Sequence, residues 1–142
     1  MEQACRSEVE DLHRFFVEWM SGSLPRTREA FARVTDVIAP GFLIVSPAGV
    51  VTERAPLIAE LDAAHGRRVN PQAPFRIWIE KYRRRHPMGD LALVTYEEWQ
   101  SLAGVTTARI STALFRRKAG TPNGVEWLHV HETWLAGHEP AS

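Results

Sequence analysis

Four segments in the second half of the chain, residues 75–84, 91–102, 105–118 and 125–136, alternate with the two-residue period of β-strands. The linkers His86-Pro87-Met88-Gly89-Asp90 and Gly120-Thr121-Pro122-Asn123-Gly124 are built of turn residues. Neither leaves room for a crossover helix, so neighbouring strands run antiparallel as a meander. That meander leaves few architectures open.

The first half carries the helical period instead. Over residues 4–20, Val9, Leu12, Phe16, Trp19 and Met20 recur at three- and four-residue spacing, and Ser21-Gly22-Ser23 ends the stripe. A second helix starts with Thr27 as N-cap and Glu29 in the first turn, presents Ala30, Phe31, Val34 and Ile38, and stops at Pro40-Gly41. A short β run at 42–45 turns through Ser46-Pro47-Ala48-Gly49, and Val50-Val51-Thr52 pairs back. Pro56, tolerated in a first helical turn, places a third helix whose buried stripe is Leu57, Ile58, Leu61 and Ala64, closed by Gly66. Helices first and sheet second predict one α+β domain over 1–142, with the helices packed in the concave face of a curved antiparallel sheet, a cone-shaped α+β barrel that leaves a cavity.

The last three strands carry apolar and aromatic residues at both parities, so both sheet faces are expected to be covered. On the final strand Glu126, Leu128, Val130, Glu132 and Trp134 share one parity, and Trp127, His129, His131 and Thr133 the other. One set meets the helices. The other meets a second subunit, and Trp127, His129 and His131, with Arg109 on the preceding strand, are assigned to that dimer face.

Composition excludes several partners. Lys plus Arg and Asp plus Glu both number 17, so no net field draws the chain to nucleic acid or to a membrane surface. The basic run Lys81-Tyr82-Arg83-Arg84-Arg85-His86 lacks the stacked aromatics of a single-strand platform and reads as a solvated strand end. The single cysteine, Cys5, forms no internal disulfide, and the start lacks the basic and apolar regions of a secretory signal, which implies a cytoplasmic protein. There is no Gly-rich phosphate loop, no Gly-X-Ser-X-Gly turn and no Cys-X-X-Cys, so nothing points to a cofactor.

The segments Ala108-Arg109-Ile110-Ser111, Leu114-Phe115-Arg116-Arg117 and Glu126-Trp127-Leu128-His129-Val130-His131-Glu132-Thr133 resemble the nuclear transport factor 2-like superfamily. Within it they are most similar to SnoaL-like domains and the association domain of calcium/calmodulin-dependent protein kinase II. The resemblance implies a cone-shaped cavity and dimerisation through the outer sheet face. It also implies that two cavity arginines of the kinase domain are replaced here by Glu132 and, on an earlier strand, by Glu97. Such a pocket would suit cations or neutral donors rather than anions. Ketosteroid isomerase shares the superfamily, but Ser46 stands where its catalytic Asp would lie. An unassisted hydroxyl is no base for that reaction.

On this alignment Glu97 and Glu132 are the candidate catalytic carboxylates, a pair whose burial and mutual repulsion would raise one pKa. The alternative is that one or both sit at the cavity mouth or pair with an arginine such as Arg76 or Arg109. Trp19, Leu93, Trp99, Thr112, Leu128, Val130 and Trp134 are the candidate ligand-binding walls. His129 and His131, at i and i+2 on one strand, present two rings to one side, but a metal needs a third ligand, from His13, His86 or Glu98, and nothing in the sequence brings one near. Two readings follow: a homodimeric small-molecule-binding domain, extending to an isomerase, cyclase or hydratase, or a non-catalytic association module.

Overall fold

The structure, a computed structural model, describes residues 1–141. Three helices, α1 (Glu2–Met20), α2 (Arg28–Thr35) and α3 (Arg54–Ala63), and six strands, β1 (Ile38–Val45), β2 (Val51–Glu53), β3 (Arg76–Met88), β4 (Leu91–Leu102), β5 (Val105–Arg117) and β6 (Val125–Trp134), make up the fold. The sheet order is β2-β1-β6-β5-β4-β3. The expected meander is present, β3 to β6 pairing antiparallel in series. The sheet as a whole is mixed rather than antiparallel, because the β1–β2 hairpin docks on the open edge of β6 with β1 running parallel to it.

The helix α1 buries Cys5, Val9, Leu12, Phe15 and Trp19 against the inner sheet face. Each large apolar side chain removed from water there stabilises the fold by about 1.5–3 kcal/mol. Thr27 caps α2, its hydroxyl accepting from the Ala30 N–H at 3.2 Å. The second helix is shorter than its stripe suggests: it ends at Thr35, and Ile38, Pro40 and Gly41 belong to β1. The β1–β6 register shifts between Ile38 and Leu43, so Pro40 sits where no ladder N–H is required. The stripe of α3 is only half-buried, because Leu57 and Leu61 face an internal cavity instead of a filled core.

Two strand irregularities decide which residues face inward. In β3 the register against β4 shifts between Glu80 and Arg83, and Lys81 adopts a left-handed φ of 52°. In the β5–β6 pair Trp127 opposes Phe115 while His129 opposes Leu114, so Leu128 is the extra residue of a bulge. The bulge reverses the parity of β6 at that point. Trp127 and Val130, three residues apart, consequently share the inner face.

Candidate functional site

Between α1, α3 and the inner sheet face lies a cavity of about 310 Å³. Its walls are apolar: Leu12, Phe16 and Met20 from α1, Leu57 and Leu61 from α3, Phe42 and Ile44 from β1, Ile77 from β3 and Val130 from β6. Polar groups gather at one place on the lining. These are His13 from α1, Tyr96, Glu98 and Gln100 from β4, Arg109 from β5 and Glu132 from β6. A few convergent polar groups in a mostly apolar cavity is the usual composition of a small-molecule site.

His13 Nε2 lies 2.9 Å from Glu98 Oε1, and His13 Nδ1 lies 2.7 Å from the Val9 carbonyl oxygen. Both ring nitrogens therefore face acceptors, which suits a doubly protonated imidazolium donating to each. Burial opposes charging His13, but the Glu98 carboxylate beside it outweighs that and holds its pKa above the ordinary value. Burial likewise opposes ionising Glu98, yet His13, Arg109 and the amide of Gln100 together pull its carboxyl down to about 2. Arg109 Nη1 donates to Glu132 Oε1 at 3.2 Å, and Ser111 Oγ to Glu132 Oε2 at 3.4 Å. Burial first, and then repulsion from Glu98, push Glu132 up to about 7, with Arg109 and His13 opposing. Two carboxyls in one cavity thus differ in protonation near neutral pH, the arrangement that separates an ionised group from a proton donor.

Arg109 lies 4.8 Å over the Trp134 ring, and its Nε, 3.9 Å from Glu98 Oε2, is buried without a hydrogen-bond acceptor. Tyr96 meets the His13 ring edge-on at 5.8 Å, and burial keeps its phenol well above the ordinary range.

The structure brings Glu132 and Val130 to the cavity and displaces the other expected members. Glu97 is on the opposite sheet face, where its Oε1 accepts from Trp99 Nε1 at 3.1 Å and Lys81 Nζ stands 3.7 Å from Oε2. The inward carboxylate of β4 is its neighbour Glu98. Leu93, Trp99 and Thr112 are on that outer face too; Thr112 opposes His131, and Trp99 stacks on Trp78 and meets His138 edge-on. Trp19 is fully buried beside the cavity rather than in its wall: its Nε1 donates to the Leu61 carbonyl at 2.8 Å and its ring packs on Phe31 and His65. Leu128 is taken out of the lining by the bulge, and Trp134 stands behind Arg109.

On the expected dimer face, His129 and His131 do point outward, their ring centroids 6.4 Å apart. Arg109 and Trp127 do not, because the bulge turns Trp127 inward and Arg109 opposes Trp134 on the cavity side. Among the described residues no group of three or more His, Cys, Asp and Glu is placed to hold a metal ion. Ser46 is spent on the hairpin turn, its hydroxyl accepting from the Val50 N–H. Cys5 is a buried thiol that burial pushes up to about 11. The functional member missed from sequence is the His13–Glu98 pair, although His13, four residues after Val9 and three before Phe16, falls on the buried stripe of α1.

Helices closing a curved sheet over a cavity with this strand order define the nuclear transport factor 2-like, or cystatin-like, class. A nuclear transport factor 2-like protein of unknown function from Pseudomonas aeruginosa superposes with a TM-score of 0.81 and 26% identity, over 94% of this chain and 99% of that one. The calcium/calmodulin-dependent protein kinase II hub of S. rosetta gives 0.68 at 16% identity, over 94% and 95%, a likeness of fold. Within this class the chain belongs to the sucrose-6-phosphate phosphohydrolase C-terminal family, whose model matches residues 5–136. Sucrose-phosphatase 2 and sucrose-phosphatase 1 of Nicotiana tabacum are 28% and 30% identical over 131 residues, 92% of this chain. The chain spans 30% of the length of those two relatives. Among the described residues no helix is long and apolar enough to cross a membrane.

Proposed function

We propose that the chain is a small-molecule-binding domain, acting as a homodimer, whose ligand occupies the cavity with its polar end at Glu132, Arg109, His13 and Glu98. The observation that carries this is the concentration of His13, Glu98, Arg109 and Glu132 at one place in a mostly apolar cavity. Burying such groups costs stability that an apolar filling would not, so a fold that needed only a core would not keep them. Glu132 supplies a proton-exchanging group for an isomerisation, cyclisation or hydration. Hydrolysis of a sugar phosphate at this cavity is disfavoured, because a phosphate dianion at Arg109 would meet the Glu98 and Glu132 carboxylates and few of the donors a sugar requires.

Unfolding by heat in the presence of octanol or indole tests the ligand site. Either probe raises the melting temperature of the wild type, whereas Leu61→Trp, which fills the apolar wall, abolishes the shift. Equal shifts in both proteins place binding outside the cavity and refute the proposal.

A reading as an association module draws on the outer sheet face. The register aligns Leu43 and Val45 of β1, His129 and His131 of β6, Leu114 and Thr112 of β5 and Leu93 of β4 there. Ile110, 37% exposed, extends the same surface. In our account this face forms the homodimer while the cavity binds its ligand.

A further inference from the structure

We propose that the ligand is a small amphipathic monoanion, a carboxylate on an apolar body, and that the cavity takes it up together with one proton held at Glu132. This rests on the cavity being a ligand site and adds the chemistry of what enters it.

His13 and Glu98 face each other at 2.9 Å, and the second His13 nitrogen is satisfied by the Val9 carbonyl, so imidazolium and carboxylate cancel. Arg109 is then balanced by Glu132 alone. Its Nη1 meets Glu132 at 3.2 Å, while its Nε is buried with no acceptor. A buried guanidinium N–H left unbonded is costly, and a ligand oxygen placed beside it removes that cost.

With Glu132 ionised the cluster is neutral and a monoanion would enter against a carboxylate. With Glu132 protonated one positive charge is in excess, Arg109 has donors to spare, and the Glu132 hydroxyl can itself donate to the ligand. A monoanion then restores neutrality. A dianion would carry the buried cluster one charge past neutrality. The groups facing Glu132 are Arg109 and Ser111 from β5, Tyr96 and Glu98 from β4 and His13 from α1. Of these, the Tyr96 phenol is neutral, Ser111 is uncharged, and His13 is held protonated by Glu98 at 2.9 Å and the Val9 carbonyl, which leaves Glu132, with only its 3.2 Å and 3.4 Å contacts, as the group that exchanges the proton. Arg68 also reaches the lining, but it is exposed, so water screens its charge and it stands outside this buried balance. The apolar walls accept the rest of the molecule.

Isothermal titration of the full chain with octanoate and with octanol, at pH 6 and pH 8.5 in two buffers of different ionisation enthalpy, tests this. Octanoate should bind at least about tenfold tighter at pH 6 and take up close to one proton at pH 8.5, while octanol shows neither effect. Glu132→Gln, of the same shape, should bind octanoate at both pH values with the tight affinity and no proton uptake, and Arg109→Gln should lose it. Octanol binding without octanoate overturns the anion but leaves the ligand site. Octanoate binding that is indifferent to pH in the wild type, or proton uptake that survives Glu132→Gln, overturns the proton linkage. No binding of either probe overturns the ligand site as well.

Discussion

Glu98 on β4 and Glu132 on β6 flank the same arginine, Arg109 on the strand between them, yet their surroundings drive them apart. Glu98 gains His13, Gln100 and Arg109 and stays ionised; Glu132 gains longer contacts and the repulsion of Glu98. The stability consequence has a definite sign. A carboxyl raised from 4.5 to about 7 binds a proton in the folded state that the unfolded chain has released, so stability falls as pH rises through that window. His13, also raised, adds a fall above its unfolded value of 6.5. Glu98, lowered, contributes stability above 4.5 that is lost as pH falls toward 2. Urea unfolding should therefore show stability dropping by on the order of 2–3 kcal/mol between pH 4.5 and 7, most of it abolished by Glu132→Gln. A drop of the same size in the variant would assign the titration elsewhere. His13→Ala takes from the buried Glu98 its nearest cation, leaving Arg109 at 3.9 Å and the Gln100 amide, and should cost on the order of 3 kcal/mol at pH 7 in the same assay.

At the scale of elements, the helices and the four long strands were legible because period, caps and turn residues agree locally. The faces of the strands were not. Apolar residues occupy both parities of β4, so nothing in the sequence separates Glu97 from Glu98, and a one-residue change of register exchanges the two faces. The bulge at Leu128 carries no glycine or proline to announce it, which is why Trp127 reads as an outer residue. Pro40 was legible as a breaker, but it breaks a ladder rather than a helix. Long-range polar contacts were equally hidden: Glu8, fully buried, accepts from Arg33 at 2.8 Å and 3.2 Å, Asn123 at 3.0 Å and Trp127 Nε1 at 3.0 Å, tying α1 to α2, β6 and the β5–β6 turn. Glu8→Ala should cost about 3–5 kcal/mol by urea unfolding, because it leaves Arg33 and Trp127 unpartnered. A loss below about 1 kcal/mol would contradict that role. Lys81→Gly, which relieves a left-handed φ and gives up a 3.7 Å pairing whose lysine end is exposed while Glu97 keeps its hydrogen bond from Trp99, should stabilise by about 1 kcal/mol.

For the whole molecule, one sheet serves two purposes. Its inner face carries the cavity, and its outer face presents Leu43, Leu93, Leu114 and His129 as a continuous patch. An apolar patch on a curved sheet is suited to an isologous dimer, in which the same surface meets itself. Leu114→Arg should yield a monomer by sedimentation while its octanol-dependent thermal shift remains, because Leu114 does not line the cavity. Loss of both together would mean that the cavity exists only in the assembled dimer. The central claim, that the cavity is occupied by a small molecule in the cell, is met most directly by native mass spectrometry of wild type and Leu61→Trp as purified. Both should be dimers, with an additional small-molecule mass on the wild type that Leu61→Trp lacks; dimers that both carry it, or both lack it, would contradict occupation of the cavity.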